Sequence, residues 1–276
     1  MKFSIIVVSL NPGEKLKNTL ESIFRQTFTD YEVIMKDGGS RDGSTDMWKN
    51  TADGRAETEF GSSAVSRVHF FDEPDKSIYD AMNQAVSHTN GEFILFLNCG
   101  DLLADDKVLE RTAARIDGER ATRMILYGDT LGEKNGVVIA AAPEITGFTC
   151  YRNIPCHQSC FYSADLCREK PYHLQYRIRA DYDHFLWCFY EAGARMVYLD
   201  FPVASYEGGG YSESRENRRR DREEHRAITG KYMSKGELLR YKTIMALTLA
   251  PLRRAMAENK AFSGVYHWVK ERLYRR

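Results

Sequence analysis

The sequence predicts an α/β fold in which a parallel sheet carries helices on both faces. Two observations predict it. Over the first 130 residues, short apolar runs alternate with stretches whose apolar residues recur at helical spacing. The connections between them are short, as in crossovers that return to a neighbouring parallel strand.

Residues 3–9 are a run rich in β-branched side chains, as expected of a strand covered on both faces. Asn11-Pro12-Gly13 breaks it. Leu16, Leu20, Ile23 and Phe24 follow at i, i+4, i+7 and i+8, one face of an amphipathic helix. Residues 31–35 form a second strand, closed by Asp37-Gly38-Gly39-Ser40-Arg41-Asp42-Gly43-Ser44. Residues 53–66 are small and polar and read as a loop, with 68–71 as a third strand. Ile78, Met82, Ala85 and Val86 mark another helix, with Ser77 and Asp80 spaced as its N-terminal cap. Residues 93–97 form a fourth strand, ending in Asn98-Cys99-Gly100-Asp101.

The middle of the chain is less regular. Residues 124–127 and 137–141 read as strands flanking a turn at Glu133-Lys134-Asn135-Gly136. Tyr182, Phe185, Leu186 and Phe189 share a helical face, so a helix is expected to start at Asp181. Residues 197–201 form a last short strand, and Gly208-Gly209-Gly210 a flexible loop. Beyond it the chain turns charged and helical, with an arginine-rich stretch from Arg218 to Arg226.

The 39 basic and 39 acidic residues cancel unevenly: 17 basic and 8 acidic residues lie from Tyr211 onward, against 22 and 31 before it. An acidic body with a basic tail argues against nucleic-acid binding, which would place positive charge on the folded face. Such a tail suits an anionic surface. Phe262, Val265, Tyr266, Val269 and Leu273 share one helical face beside Trp268, with Lys260, Lys270, Arg272, Arg275 and Arg276 supplying charge. A helix lying in an anionic membrane interface needs that combination, and a helix packed on the body with solvated charges also displays it. No apolar run reaches the roughly 20 residues of a membrane span, and the N-terminal run is too short for a signal-peptide core. None of the six cysteines forms a C-x-x-C pair. The expectation is a cytoplasmic protein with reduced thiols, its tail on the inner face of the cell membrane.

Three polar clusters fall at strand ends, where open α/β sheets bind ligands: Ser9 to Asn11, Asp37 to Ser44, and Asn98 to Asp101. Taken singly, the second and third also read as ordinary turns. Together at one sheet edge they point to a site, in which a lone aspartate after a buried strand suits a hard cation bridged to phosphate oxygens. Two competitors fail. The dinucleotide fingerprint G-x-G-x-x-G is absent after the first strand, and the phosphate loop G-x-x-x-x-G-K-[ST] is absent throughout.

The opening Ser4-Ile5-Ile6-Val7-Val8-Ser9 and the cluster from Asp37 to Ser44 resemble family 2 glycosyltransferases of the GT-A fold. Glu73-Pro74-Asp75-Lys76-Ser77-Ile78-Tyr79-Asp80-Ala81-Met82-Asn83, Asn90-Gly91-Glu92 and Phe96-Leu97-Asn98-Cys99-Gly100-Asp101 resemble the colanic-acid-type subgroup that builds bacterial surface polysaccharides. His157-Gln158-Ser159, Ala180-Asp181-Tyr182-Asp183 and Gly208-Gly209-Gly210-Tyr211-Ser212 continue the match, which covers about the first 212 residues. The resemblance implies a mixed, mostly parallel sheet flanked by helices over residues 1–212, with a helical basic extension over 213–276. There are two departures. The usual Asp-Asp of the first cluster has Gly38 in second place, and the usual D-x-D metal motif is reduced to Cys99-Gly100-Asp101.

The resemblance also implies roles. Asp37 accepts from the uracil-type base of a nucleotide-sugar, with Ser9, Asn11 and Gly38 in the same pocket. Asp75 reaches the ribose or base, and Asp80 and Asn83 face the donor sugar or phosphates. Asp101 holds Mg²⁺ or Mn²⁺ against the diphosphate. Asp181 is the general base that inversion requires, with Asp183 the runner-up. His157 and Gln158 line the acceptor or phosphate side, and Gly209 and Gly210 a loop closing over the donor. The expected function is inverting, metal-dependent transfer of a sugar from a nucleotide donor, a UDP-sugar first, to a growing, lipid-linked surface glycan. A sugar nucleotidyltransferase would need a basic, glycine-rich phosphate loop near the N-terminus, and Pro12-Gly13-Glu14-Lys15 is a poor one. A non-catalytic scaffold of a polysaccharide assembly complex would need neither Asp101 nor Asp181.

Overall fold

The computed structural model describes residues 1–51, 60–119, 121–132, 136–206 and 217–248. The chain divides into two compact units, Met1–Ile228 and Thr229–Arg276. The first unit opens with β1 (Phe3–Ser9), α1 (Glu14–Phe24), β2 (Tyr31–Asp37), α2 (Asp46–Thr51), α3 (Ser62–Val65) and β3 (Val68–Asp72). Next come α4 (Ile78–Val86), β4 (Phe93–Phe96), β5 (Leu102–Leu103), α5 (Val108–Asp117), β6 (Met124–Gly132) and β7 (Val138–Ile139). It continues with α6 (Gly147–Arg152), a single 3-10 turn (His157–Ser159), β8 (Cys160–Ser163), α7 (Ala164–Glu169), α8 (Ala180–Tyr190) and β9 (Arg195–Tyr206). Helix α9 (Asn217–Tyr232) runs across the boundary between the units. The second unit holds α10 (Lys235–Leu247), which opens on a full capping box between Ser234 and Glu237. The residues 260–276, read above as an interfacial helix, and the glycine loop 208–212 lie outside the described residues.

The strands run β3-β2-β1-β4-β8-β6-β9-β5, with β7 beside β6. β3, β2, β1 and β4 are mutually parallel, β8 runs antiparallel to both β4 and β6, and β6 and β9 are parallel. The sheet is therefore mixed, because the second half enters antiparallel through β8. β1 is buried along its whole length, as its unbroken apolar run requires, and its Phe3, Ile5 and Val7 join the core between sheet and helices. Each such side chain contributes about 1.5–3 kcal/mol of burial. Chain order reverses between β1 and β4, with β2 and β3 leading one way and β4 the other. That switch point lies at the carboxyl ends of β1 and β4, where the polar clusters sit.

Some elements differ from expectation. Part of the loop read at 53–66 is helical, because Ser62–Val65 forms α3 and buries Ala64. The strand expected at 137–141 is only the exposed pair Val138–Ile139, and the short strand expected at 197–201 is twelve residues long. The helix at Asp181 starts one residue earlier, with Arg179 at its N-cap.

Helix α8 is buried on nearly all sides, which brings His184 into an aromatic nest 5.5 Å from the Tyr162 ring and 5.3 Å from that of Tyr172. Burial, then the Lys170 charge, push its pKa down from 6.5 to about 4. The folded ring stays neutral where the unfolded one already binds a proton, so stability is full above pH 6.5 and declines as pH falls toward 4. Between pH 7 and 5 that costs about 2 kcal/mol. Denaturant melts of His184→Phe should show the pH 5 deficit shrink by about that amount.

Candidate active site

The first cluster is organised around Asp37, which is fully buried at the end of β2. Its carboxylate accepts from Ser9 Oγ at 2.8 Å, Ser40 Oγ at 2.6 Å, Ser40 N at 2.7 Å and Gly39 N at 3.2 Å. Four donors match the four lone-pair sites of a carboxylate. Asp37 thus knits the ends of β1 and β2 together. Asn11, in the left-handed conformation at φ 49°, closes the same turn: its N–H donates to Ser40 Oγ and its Oδ1 accepts from Arg41 N. Asparagine tolerates that backbone better than other non-glycine residues.

Gly38 borders this knot, and what lies beside it is a second carboxylate. A Cβ at position 38 would come within 2.6 Å of Asp75 Oδ2. Asp75 Oδ2 also lies 3.1 Å from Nζ of Lys36, whose side chain is fully buried. Lys36 Nζ donates as well to the carbonyls of Asp37 at 3.2 Å and Glu73 at 2.5 Å. The segment before α4 is thereby tied to the end of β2. Leu10, 62% exposed, flanks the same spot as an apolar wall.

The third cluster follows β4. Gly100 takes φ +101°, open to glycine, and lets Asp101 N bond back to Asn98 O at 2.9 Å. Buried Thr19 of α1 pins this turn by accepting from Gly100 N at 2.9 Å and donating to Asp101 O at 3.0 Å. Asn98 Nδ2 meets His157 Nε2 at 3.4 Å. Asn98 Oδ1 and His157 Nδ1 are buried with no hydrogen-bond partner in the protein, the state of groups that await a ligand.

Asp181 sits in the first turn of α8, with its Oδ1 3.0 Å from the Tyr79 hydroxyl, which also lies 2.7 Å from Ile178 O. Burial, then the Asp181 charge, raise the Tyr79 pKa well above its usual value, so Tyr79 stays protonated and acts as donor. The same carboxylate is felt at His157, whose pKa burial lowers and Asp181 raises. At Cys156, burial raises the thiol pKa, and both Asp181 and Asp101 raise it further. Cys99 is pushed up to about 12 by burial, then by Asp37 and Asp101. Beside Cys156, a cavity of about 330 Å³ is lined by Thr130, Ala141, Thr149 and Arg152 among others.

Other residues singled out from the sequence hold the frame. Asn83 exchanges both amide groups with the Tyr172 backbone, at 2.9 and 2.8 Å. Asp80 closes the start of α4 by accepting from Lys76 N at 2.9 Å. Asp183 is buried 3.1 Å from His173 Nδ1 and 3.6 Å from Lys170 Nζ, and Gln158 is buried on the 3-10 turn. Sequence reasoning passed over Lys36, Tyr79 and Cys156. Only Lys36 left a signal, a lysine inside an otherwise apolar strand.

The family model for glycosyl transferase family 2 matches residues 4–135. A PGL/p-HBAD biosynthesis glycosyltransferase of Mycobacterium bovis is 36% identical over 214 residues, 77% of this chain and 79% of its own. This chain belongs to glycosyltransferase family 2. Solved structures share the fold of this glycosyltransferase. Staphylococcus aureus TarS 1–349 in complex with UDP-GlcNAc superposes with a TM-score of 0.62 at 19% identity, over 86% of this chain and 69% of its own. The mannosyltransferase PcManGT of Pyrobaculum calidifontis, with GDP-Man and Mn²⁺, gives 0.62 at 14% identity, over 100% of this chain and 88% of its own. A further TarS 1–349 structure is spanned over 60% of its length.

One neighbour of this fold, PcManGT, holds Mn²⁺. Among the described residues no group of three or more His, Cys, Asp or Glu side chains can hold a metal. Asp101 and Asn98, whose Oδ1 is buried without a partner in the protein, belong to one turn and fit a mode in which one or two protein oxygens suffice and substrate phosphates complete the shell.

Proposed function

We propose that this family 2 glycosyltransferase is an inverting enzyme. It moves a sugar from a nucleotide donor, a UDP-sugar first, onto an acceptor hydroxyl. The observation that carries the reading is the meeting of Asn98, at the carboxyl end of β4, with His157 at 3.4 Å, each keeping a buried polar atom that has no partner in the protein. Ser9, Asn11, Asp37 and Gly38 shape the nucleotide end, and Asp75 offers it a carboxylate. The acceptor enters by the cavity beside Cys156, next to His157 and Gln158.

In the transfer, the acceptor oxygen bonds to the anomeric carbon as the carbon–diphosphate bond breaks. The bonding pair leaves with the diphosphate, and the hydroxyl proton passes to Asp181. The Tyr79 hydroxyl, 2.7 Å from Ile178 O and 3.0 Å from Oδ1 of Asp181, borders one side of the carboxylate and leaves Oδ2 for that proton. Asp101 and Asn98 are the residues that would hold Mg²⁺ or Mn²⁺, which when bound offsets the charge growing on the leaving diphosphate. The acceptor is a growing surface polysaccharide of the colanic-acid type, capsule-like and lipid-linked. The alternative is an intermediate of PGL/p-HBAD biosynthesis, the pathway in the mycobacterial relatives' names. The catalytic domain read at 1–212 takes in α9 as far as Ile228, and the basic residues beyond it hold the enzyme to the inner membrane face. No helix of the described residues is long and apolar enough to cross a membrane.

Incubation with Mn²⁺ and UDP-glucose, UDP-galactose or UDP-GlcNAc tests the reading. Release of UDP supports it, whereas pyrophosphate exchange would indicate a nucleotidyltransferase, and neither product a scaffold. Asp101→Asn should lower UDP release about 100-fold and flatten its response to added Mn²⁺. A Mn²⁺ titration of UDP release checks both.

A further inference from the structure

The sequence reads α9 as the start of a charged appendage, yet its Asp221 and Glu224 are turned into the catalytic unit. Glu224 is buried, and its carboxylate accepts from three consecutive backbone N–H groups: Arg177 at 3.0 Å, Ile178 at 3.0 Å and Arg179 at 2.9 Å. These groups form the entry to α8, and Asp181 follows two residues later. The helix has no cap of its own, because Arg179 stands at the N-cap and its side chain makes no capping bond. Arginine has no acceptor atom, so it cannot cap. Glu224 supplies from another helix what α8 lacks. Its negative charge sits where a helix N-terminus favours it, and bonds from backbone N–H to a carboxylate are among the stronger ones.

One turn before Glu224, Asp221 receives the Arg179 guanidinium through two parallel bonds of 2.7 and 3.1 Å. One residue after it, His225 stacks on Tyr182 with ring centroids 5.4 Å apart, and its Nε2 lies 2.9 Å from Tyr151 O. A single residue, Ile178, links Glu224 to the chemistry. Ile178 N–H is held by Glu224, and Ile178 C=O by the Tyr79 hydroxyl that also contacts Asp181.

We infer that Glu224 is a positioning residue for Asp181: it fixes the entry of α8 so that the carboxylate meets both Tyr79 and the acceptor hydroxyl. The inference rests on the reading of Asp181 as general base. Glu224→Gln tests it, since one amide oxygen cannot serve three donors and its NH₂ opposes them. The full chain is assayed with Mn²⁺ and whichever UDP-sugar of the panel above releases the most UDP, together with its UDP affinity and thermal midpoint.

A displaced base, off by a fraction of an ångström, should lower kcat about 30- to 100-fold while the donor KM and the UDP affinity stay within about threefold. A folded Glu224→Gln with unchanged kcat overturns the inference. So does a kcat loss matched by an equal loss of UDP affinity, which marks general unfolding. Should Glu224→Gln fail to fold, Asp221→Asn weakens the same clamp. It is expected to give a smaller kcat loss with the same unchanged KM, and an unaltered kcat there overturns the inference equally. Asp181→Asn in parallel separates the two levels. If it stays active, the base assignment fails; if it is inactive while Glu224→Gln is fully active, only the role of Glu224 fails.

Discussion

Asp181→Asn is expected to lower UDP release about 10³-fold while leaving UDP affinity within a factor of about three. The asparagine keeps the shape of the side chain and can still accept from the Tyr79 hydroxyl 3.0 Å away, so the start of α8 should be undisturbed. What it loses is the ability to take a proton. Because the partly exposed Asp181 touches no residue of the nucleotide end in the structure, binding and catalysis should separate cleanly. Isothermal titration with UDP and steady-state UDP release measure the two halves. A matching loss of UDP affinity would mean that the carboxylate serves donor binding. Undiminished turnover would shift attention to Asp183, which is buried against His173 and Lys170.

The same residues show which parts of the molecule are legible in the sequence. The β1 run is readable because a strand buried on both faces needs an unbroken apolar stretch, and Ser9, Asp37 and Asn98 are then placed at strand ends by local pattern alone. The second half of the sheet is not, because β6 is paired by β8, over 30 residues later, and by β9, about 70 later. Register at such separation is decided by tertiary packing, and no local period encodes it. The site splits along the same line. Asp101 and Asp181 stand out as carboxylates in recognisable strings, but the Tyr79 hydroxyl beside Asp181 and the meeting of Asn98 with His157 exist only once the chain folds. Glu224 is hidden for a third reason. Within the run from Arg218 to Arg226 it looks like one more surface charge, and only the uncapped start of α8 reveals what it faces.

The other large effect concerns Gly38 and Asp75. The family pattern that the first cluster resembles has a carboxylate at the second position, and here that position is glycine with Asp75 Oδ2 only 2.6 Å from where its Cβ would lie. Asp75 Oδ2 occupies the space into which a side chain at position 38 would point. Gly38→Asp alone should be severely destabilised, because it drives a second negative charge into Asp75 beside a buried lysine. Asp75→Ala should lower UDP affinity about 10- to 100-fold, the worth of a charge-assisted hydrogen bond to the base or ribose. It should also cost about 3 kcal/mol of stability by stripping Lys36 of its carboxylate. Lys36→Met separates these effects, since it removes the buried charge and leaves Asp75 free to bind. In that background, Asp75→Ala should still weaken UDP binding while its cost to stability largely disappears. The decisive variant is the double exchange Gly38→Asp with Asp75→Gly, which returns a carboxylate to the conventional place and should recover UDP binding over either single change. Titration calorimetry with UDP and thermal melts on the five variants would show it. Equal UDP affinity in native protein and Asp75→Ala would instead make Asp75 a counterion for Lys36, with the nucleobase read elsewhere along the β1 and β2 ends.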